Sequence, residues 1–230
     1  MSYIHYCLQY SSFMNKHPDQ FEASSLDSPQ TKRGLERRLA LLISATQLFL
    51  ERGYDAVSLD DIVNHAGGSK ASIYKYFGSK DGLFTAICDY RCEIFFKDIC
   101  TQFNFEKDQL HQYLLQTLNN FHLHLIQPEN AAFLRLIIEQ AQRNPELSRY
   151  IMEQGPRHVQ RAIENALSKA HQLGLIYCTH PNYSAQMYFG IIRDLEWHIL
   201  MNAPIEKTEQ EINNYIEYCV DLCGDGNIKK

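Results

Sequence analysis

The sequence predicts an all-α protein of about nine helices, and three observations support that fold class. Apolar residues recur at intervals of three and four from residue 35 almost to the end of the chain, which is the helical period. The sequence shows neither strand-like alternation nor an internal repeat. Prolines stand in the joints between periodic segments or near their first residues, where helices tolerate them: Pro128, Pro145, Pro181 and Pro204.

The composition is that of an ordinary globular chain. Of its 230 residues, 45% are apolar and 21% are charged, which is typical of folded soluble domains. The sequence has no apolar run of about eighteen residues and no basic start followed by an apolar block. We therefore expect a cytoplasmic protein without a membrane span or a secretory signal.

The first periodic segment follows a stretch of different character. Residues 1–31 are rich in Ser and Gln and show no sustained period, so we expect a flexible N-terminal extension, within which Met14 is an alternative start. The first helix is expected over residues 35–52, with apolar residues at one face. Gly53 is its expected stop.

Capping residues delimit the second helix. Ser58 and Asp61 have the spacing of a capping box, with a hydroxyl before the helix and a carboxylate three residues later. The glycines Gly67 and Gly68 end this helix after about two turns.

A third and a fourth helix are expected directly afterwards. Ser69 is the expected cap of a short helix over residues 70–77, which Gly78 ends. Ser79 is the expected cap of a longer helix that runs towards residue 103.

Charge is distributed unevenly between this region and the rest. Residues 31–80 hold eight Lys or Arg and five Asp or Glu, a net charge of +3, whereas the whole chain carries −5. The remainder is therefore at −8. A basic segment in an acidic chain indicates a local anionic partner such as a nucleic acid.

Two short helices joined by a glycine turn have the dimensions of a helix-turn-helix. Gly67 can adopt the positive φ that the sharp turn requires. On the second helix, Ile73 and Phe77 form an apolar pair four residues apart that is expected to face inward, and Lys70 and Tyr74 form a pair on another face. Such a helix can enter the major groove with its N-terminal residues near base edges.

The run LDDIVNHAGGSKASIYKYFGSKDGLF, residues 59–84, resembles the DNA-binding domain of the TetR/AcrR family of bacterial transcriptional regulators. The preceding helix, which contains Arg38, is similar to the first helix of that family, so the resemblance covers residues 35 to about 95. Two positions depart from the family pattern: Gly68 replaces a usually apolar turn residue, and Gly82 replaces an acid near the start of helix four.

The resemblance implies a homodimer with one recognition helix in each half-site of a near-palindromic operator. It assigns residues 32–80 to the DNA-binding domain, with helix four over 80–103, and makes the following residues candidate DNA contacts: Ser58, Ser69, Lys70, Ala71, Ser72, Tyr74, Lys75, Tyr76 and Lys80. Lys70 is expected near bases and Lys80 on phosphate. Ser58 and Ser69 have the alternative role of helix caps, and Tyr76 that of packing on the first helix.

Amphipathic segments predict further helices over 108–127, 130–142, 145–172, 183–202 and 207–222, and Gly155 and Pro156 are expected to kink or restart segment 145–172. The same resemblance assigns residues 81–225 to a ligand-binding and dimerisation domain. The segment 133–156 is similar to AcrR-like members, which implies release from DNA by a hydrophobic or aromatic small molecule and control of an efflux system. Candidate ligand residues are Phe121, Phe133, Ile137, Tyr188 and Trp197. Candidate dimer residues are Ala185, Phe189, Ile192, Leu195, Ile212, Ile216 and Cys219.

Other functions are weighed against this one. The sequence lacks the G-x-S-x-G, H-E-x-x-H, P-loop and dinucleotide fingerprints, so we expect neither an enzyme nor a cofactor. An activator or an adaptor of the same fold stays open.

Two pairs of cysteines, Cys88/Cys92 and Cys219/Cys223, are each four residues apart. They are packed thiols or, alternatively, a thiol switch or half of a metal site. No second pair completes a zinc site, and we expect no metal.

Overall fold

The computed structural model describes residues 31–99, 103 and 109–225. The predicted N-terminal extension, apart from residue 31, lies outside the described residues. The described part of the chain contains eleven helices: α1 Lys32–Arg52, α2 Leu59–Ala66, α3 Lys70–Phe77, α4 Lys80–Ile99, α5 Leu110–Leu125, α6 Pro128–Arg143, α7 Pro145–Gln154, α8 Pro156–Gln172, α9 Pro181–Gly190, α10 Arg193–Leu200 and α11 Glu209–Asp225. The chain separates into two compact units, divided after Ile87, which are described in turn.

The N-terminal unit is delimited by local capping groups. The Thr31 side chain accepts a hydrogen bond from the Gly34 amide at the start of α1, and the Gly53 amide closes its end on the Phe49 carbonyl with φ at 80°. At the start of α4, the Ser79 hydroxyl accepts a hydrogen bond of 2.9 Å from a backbone amide. These bonds satisfy backbone groups that a helix end leaves without partners, and they confirm the predicted stop of α1 and the predicted cap of α4.

The core of this unit joins all four of its helices. Side chains from each helix are buried together: Leu41, Leu42, Ala45, Leu48, Phe49, Ile62, Ile73, Phe77, Leu83, Phe84 and Ile87. The rings of Phe49, Tyr54 and Phe84 form a mutual cluster with centroids 5.1–6.0 Å apart. Apolar burial of this kind holds the short helices α2 and α3, which would be marginal in isolation.

Proline begins four helices of the C-terminal unit. Pro128, Pro145, Pro156 and Pro181 each occupy the first turn, where a missing amide removes no helical hydrogen bond. Two predicted helices are each divided in the structure, which accounts for eleven described helices against nine predicted. Segment 145–172 divides at Gly155, and segment 183–202 divides after Gly190, whose residue type has low helix propensity.

The core of the C-terminal unit is built from α5, α8, α9, α10 and α11. It contains five of the seven residues that the sequence suggested for a dimer seam: Ala185, Ile192, Leu195, Ile212 and Ile216, each at most 4% exposed. The other two, Phe189 and Cys219, are partly buried against the same core. That suggestion was wrong for the five buried residues, since a side chain enclosed by its own chain has no surface left for a second copy.

Candidate nucleic-acid interface

The turn between α2 and α3 consists of residues with unusual backbone conformations. Gly67 has φ of 72° and Gly68 has φ of 118°, and L-residues rarely adopt either value. The guanidinium of Arg37, on α1, lies against this turn. It donates hydrogen bonds to the carbonyls of Ala66 and Gly67.

Helix α3 presents one face to the core and another to solvent. Ile73 and Phe77 are buried, as predicted, and the Arg38 guanidinium lies 5.1 Å from the centre of the Phe77 ring. Tyr74 is 54% exposed. Of the other candidates on or beside this helix, Ser69, Lys70, Ala71 and Lys75 are exposed, whereas Ser72 and Tyr76 are half-buried.

Lys70, the predicted base contact, has an ionic partner in the structure. Its Nζ lies 2.7 Å from Oδ2 of Asp60 on α2, and both side chains remain exposed. The hydrogen bond and the charge of Asp60 raise the pKa of Lys70. The ammonium must leave or share this carboxylate to reach a base or a phosphate.

The two predicted serine caps differ. The Ser58 hydroxyl accepts from the Asp61 amide at 3.1 Å and donates to the Asp61 carboxylate, which in turn accepts from the Ser58 amide. This is a complete capping box, as predicted, and it lowers the pKa of Asp61. The Ser69 side chain makes no capping hydrogen bond and instead lies 3.4 Å from the Ser72 hydroxyl. Ser69 is therefore the N-cap residue of α3, as predicted, but its hydroxyl makes no capping hydrogen bond.

Lys80, a predicted phosphate contact, is partly buried. Its Nζ donates to the Tyr54 carbonyl at 2.6 Å and lies 4.2 Å from the centre of the Tyr54 ring. Burial lowers the pKa of Lys80. The hydroxyl of Tyr54 donates to Asp81, so the first turn of α4 is tied to the chain just after α1.

Both departures from the family pattern have a steric reason. A Cβ on Gly82 would lie 1.9 Å from the Phe77 carbonyl oxygen, so no side chain fits there. A Cβ on Gly68 would lie 3.0 Å from Nη1 of Arg37, closer than nearly all real contacts of a Cβ atom. Gly82 permits an approach to the backbone that a side chain would prevent, whereas a Cβ at Gly68 would require the Arg37 side chain to shift by a few tenths of an ångström.

The candidate ligand residues differ in their burial. Tyr188 belongs to the large core, where its hydroxyl donates to the Leu114 carbonyl at 2.6 Å. Phe133 is buried beneath the Arg91 guanidinium, 4.4 Å from the ring centre. Phe121 and Ile137 are partly buried. Trp197 is 61% exposed.

Sequence reasoning missed two polar side chains of the C-terminal unit. His122 and Gln140 are 3% and 6% exposed. Nδ1 of His122 and Nε2 of Gln140 have no hydrogen-bond partner among the described residues. Burial lowers the pKa of His122, partly opposed by the charge of Glu209. A polar residue on the apolar face of a predicted helix was the available signal.

The last three helices carry exposed apolar side chains, and we call this set of residues the outer stripe. It consists of Tyr183, Met187, Trp197, Met201, Tyr218 and Leu222, each at least half exposed. The two residues that belong to each helix are four positions apart, which puts them on one side of that helix; Met201 directly follows the last residue of α10. They alternate with the core residues that the sequence had suggested for dimer contacts.

On α4, the thiol of Cys88 is buried and that of Cys92 is half-buried. Burial raises the pKa of Cys88, and it raises that of Cys92 to about 12, so neither forms a reactive thiolate at neutral pH. Among the described residues, no group of three or more His, Cys, Asp or Glu is placed to hold a metal ion. The side chain of Cys223 lies outside the described residues.

Comparison with known proteins places both units in one family. Residues 41–87 match the sequence model of bacterial regulatory proteins, tetR family, and residues 112–223 match that of the AefR-like transcriptional repressor, C-terminal domain. The HTH-type transcriptional activator FasR of Mycolicibacterium smegmatis is 46% identical over 52 residues, 23% of this chain and 24% of FasR. The chain spans about a quarter of the first curated relatives it matches.

Longer matches cover both units. The HTH-type transcriptional repressor NemR of Escherichia coli K12 is 25% identical over 162 residues, 68% of this chain and 80% of NemR. The solved structure of the flavonoid-responsive regulator FrrA superposes with a TM-score of 0.73 at 27% identity, over 84% of this chain and 98% of FrrA. A TetR-family regulator of Mesorhizobium loti, with a TM-score of 0.74 at 22% identity over 86% of this chain and 100% of its own, shares the fold.

The families and relatives matched are transcriptional regulators, which agrees with the prediction that the chain is not an enzyme. Within the described residues, every helix is too short or too polar to cross a membrane.

Proposed function

The chain belongs to the TetR family of bacterial regulatory proteins, and from this premise we propose that it is a cytoplasmic homodimeric repressor released from a palindromic operator by a small molecule. The observation that carries the DNA-binding part is the exposure of α3. Its Ile73 and Phe77 are anchored in the core, while Lys70, Tyr74 and Lys75 face solvent. A helix held in this way presents its outer residues to a groove without losing its register.

The outer stripe supports the homodimer. Its six large apolar side chains are each at least half exposed, and a two-fold copy of the same helices would cover them. Dimerisation would place the two α3 helices about 34–36 Å apart, or at a multiple of it, to match successive turns of DNA.

The buried polar atoms support the small-molecule part. His122 and Gln140 each leave a buried nitrogen without a partner among the described residues, and such a loss costs about 1–3 kcal/mol per group. A ligand with hydroxyl or carbonyl groups on an aromatic frame would supply those partners. The resemblance to a flavonoid-responsive regulator favours this chemical class.

The DNA-binding proposal is tested by a mobility shift. Purified protein is titrated into the DNA upstream of its own gene and into a scrambled duplex of equal length and composition. We expect retardation of the upstream DNA at protein concentrations at least tenfold lower than for the scrambled duplex. Equal retardation, or none at low salt, would contradict a sequence-specific regulator.

Ligand response is tested on the same complex. Flavonoids are the probe, and we expect them to release the operator and to raise the unfolding temperature of the protein. The variant His122→Phe should keep operator binding and lose part of the response. Release by flavonoids that is identical in this variant would remove His122 from the proposed site.

The sign of regulation has an alternative, since FasR, which resembles the N-terminal unit, is an activator. A reporter gene under the upstream DNA separates the two: deletion of the regulator should raise expression if it represses and lower it if it activates.

Control of an efflux system is the remaining part of the proposal. It predicts that the deletion raises transcription of a pump gene and resistance to the inducer.

A further inference from the structure

The turn between α2 and α3 determines how the recognition helix is presented, yet it contains two glycines, the residue type with the least restricted backbone. Gly67 and Gly68 have no side chain with which to anchor the turn in the core. Both take positive φ, so the turn is sharp. Something outside the turn must hold it, because glycine loses more conformational freedom on ordering than any other residue.

Arg37 provides that support from a different helix. Its Nη1 lies 3.3 Å from the Ala66 carbonyl oxygen and also donates to the Gly67 carbonyl. These are the carbonyls at the C-terminal end of α2, where a helix lacks internal donors and where its dipole favours positive charge. Arg37 is half-buried. Water therefore competes less for its hydrogen bonds to the two carbonyls than it would at a fully exposed arginine.

Gly68 is complementary to the guanidinium. A Cβ at this position would lie 3.0 Å from Nη1, 3.2 Å from Cζ and 3.5 Å from Nε of Arg37. A Cβ at Gly67 would lie 3.5 Å from Nη1 of Arg37, which is an ordinary contact distance. Of the two glycines of the turn, Gly68 is therefore the one at which a Cβ would come closer to the guanidinium than an ordinary contact.

We propose that Arg37 is the positioning residue of the recognition helix, and that a polar clamp from α1 replaces an apolar side chain in the turn. Gly68 is then required for two separate reasons, its positive φ and the space that Arg37 occupies. The functional part of this inference rests on the proposed DNA binding. The alternative role for Arg37 is a phosphate contact, which makes a different prediction.

The first experiment compares Arg37→Ala with Arg33→Ala, which removes the same charge from an exposed position of the same helix. Affinities for operator and for scrambled DNA are measured across a salt series. We expect Arg37→Ala to lower operator affinity by about tenfold or more while the salt slope stays that of the wild type. A phosphate contact would reduce the slope by about one and weaken all sequences alike, and that result would overturn the proposal.

Arg37→Lys is a milder variant that keeps the charge. Lysine cannot present two donors in the planar fork of arginine, so we expect it to recover less than half of the lost operator affinity on a logarithmic scale. Full recovery would mean that charge alone matters, and the clamp would be wrong.

The second experiment is a double-mutant cycle of Arg37→Ala and Gly68→Ala, read by urea unfolding, which does not depend on DNA. Gly68→Ala should reduce the folding equilibrium constant several-fold less in the Arg37→Ala background than in the wild type, because the steric contact is gone and only the φ strain remains. Losses that multiply to within about twofold would show that the two residues are independent, which contradicts the inference. Because urea unfolding is measured without DNA, this experiment tests the contact between Arg37 and Gly68 even if the protein does not bind an operator.

Discussion

The N-terminal and C-terminal units differ in how directly their residues reveal their roles. In the N-terminal unit, caps and turns are local: Ser58 bonds to Asp61, three residues away, and Gly53 closes on Phe49. In the C-terminal unit, the roles of apolar residues depend on helices distant in sequence. Periodicity marks apolar faces in both, but only packing decides which face is core and which is surface. Helix caps and turns are therefore more predictable from the sequence than the burial of apolar residues.

The largest effect that sharpens this comparison is expected at the outer stripe. A charge at Trp197, as in Trp197→Glu, should weaken the dimer by about 2 kcal/mol or more, roughly 30-fold in its dissociation constant. The reason is that the indole would be enclosed by the second copy. Sedimentation equilibrium measures the change.

Leu123→Glu is the matched control, because Leu123 is also exposed but lies on α5, outside the outer stripe. It should leave the dimer unchanged. Equal dissociation of the two variants, or a stable dimer of Trp197→Glu, would contradict the outer stripe as the seam.

The next effect concerns Asp60, which holds the Lys70 ammonium at 2.7 Å in the structure. Asp60→Asn removes a negative charge beside the recognition helix and releases Lys70. DNA affinity at low salt should rise roughly fivefold, with little change in stability because the pair is exposed. Fluorescence anisotropy measures the affinity. Glu51→Gln makes the same charge change on α1, and a rise as large in that variant would assign the effect to net charge.

Ser58 and Ser69 both precede a helix, but only the Ser58 side chain makes capping hydrogen bonds. Ser58→Ala should lower the free energy of unfolding by about 1 kcal/mol, because it removes a complete capping box. Ser69→Ala should change it by no more than about 0.5 kcal/mol, since its hydroxyl bonds no helix amide. Urea denaturation distinguishes the two, and equal losses would mean that the caps are equivalent.

The smallest effect is a pH dependence in the C-terminal unit. Burial lowers the pKa of His122 in the folded state, so the unfolded chain takes up a proton first as the pH falls below about 6.5. Stability should therefore decrease between pH 7 and pH 5, and by less in His122→Phe. Thermal melts across that range provide the two slopes, and parallel slopes would show that His122 contributes nothing.

Several features were predictable from the sequence because few residues determine them. The fold class, the capping box at Ser58 and the inward pair Ile73 and Phe77 follow from spacing and are confirmed. The roles of Arg37 and Asp60 were not predicted, because a contact across thirty residues, or one between two helices, leaves no local pattern. The steric contacts that favour glycine at positions 68 and 82, with the Arg37 side chain and with the Phe77 carbonyl oxygen, were also not predicted.

The central claim is that α3 reads an operator, and selection of bound duplexes from a random pool tests it most directly. Wild-type protein, Lys70→Ala and Lys80→Ala are selected in parallel at one salt concentration. We predict a palindromic site for the wild type, a relaxed base preference for Lys70→Ala, and an unchanged preference with uniformly weaker binding for Lys80→Ala. A pool without enriched sequence, or one with the same preference in all three proteins, would contradict the claim.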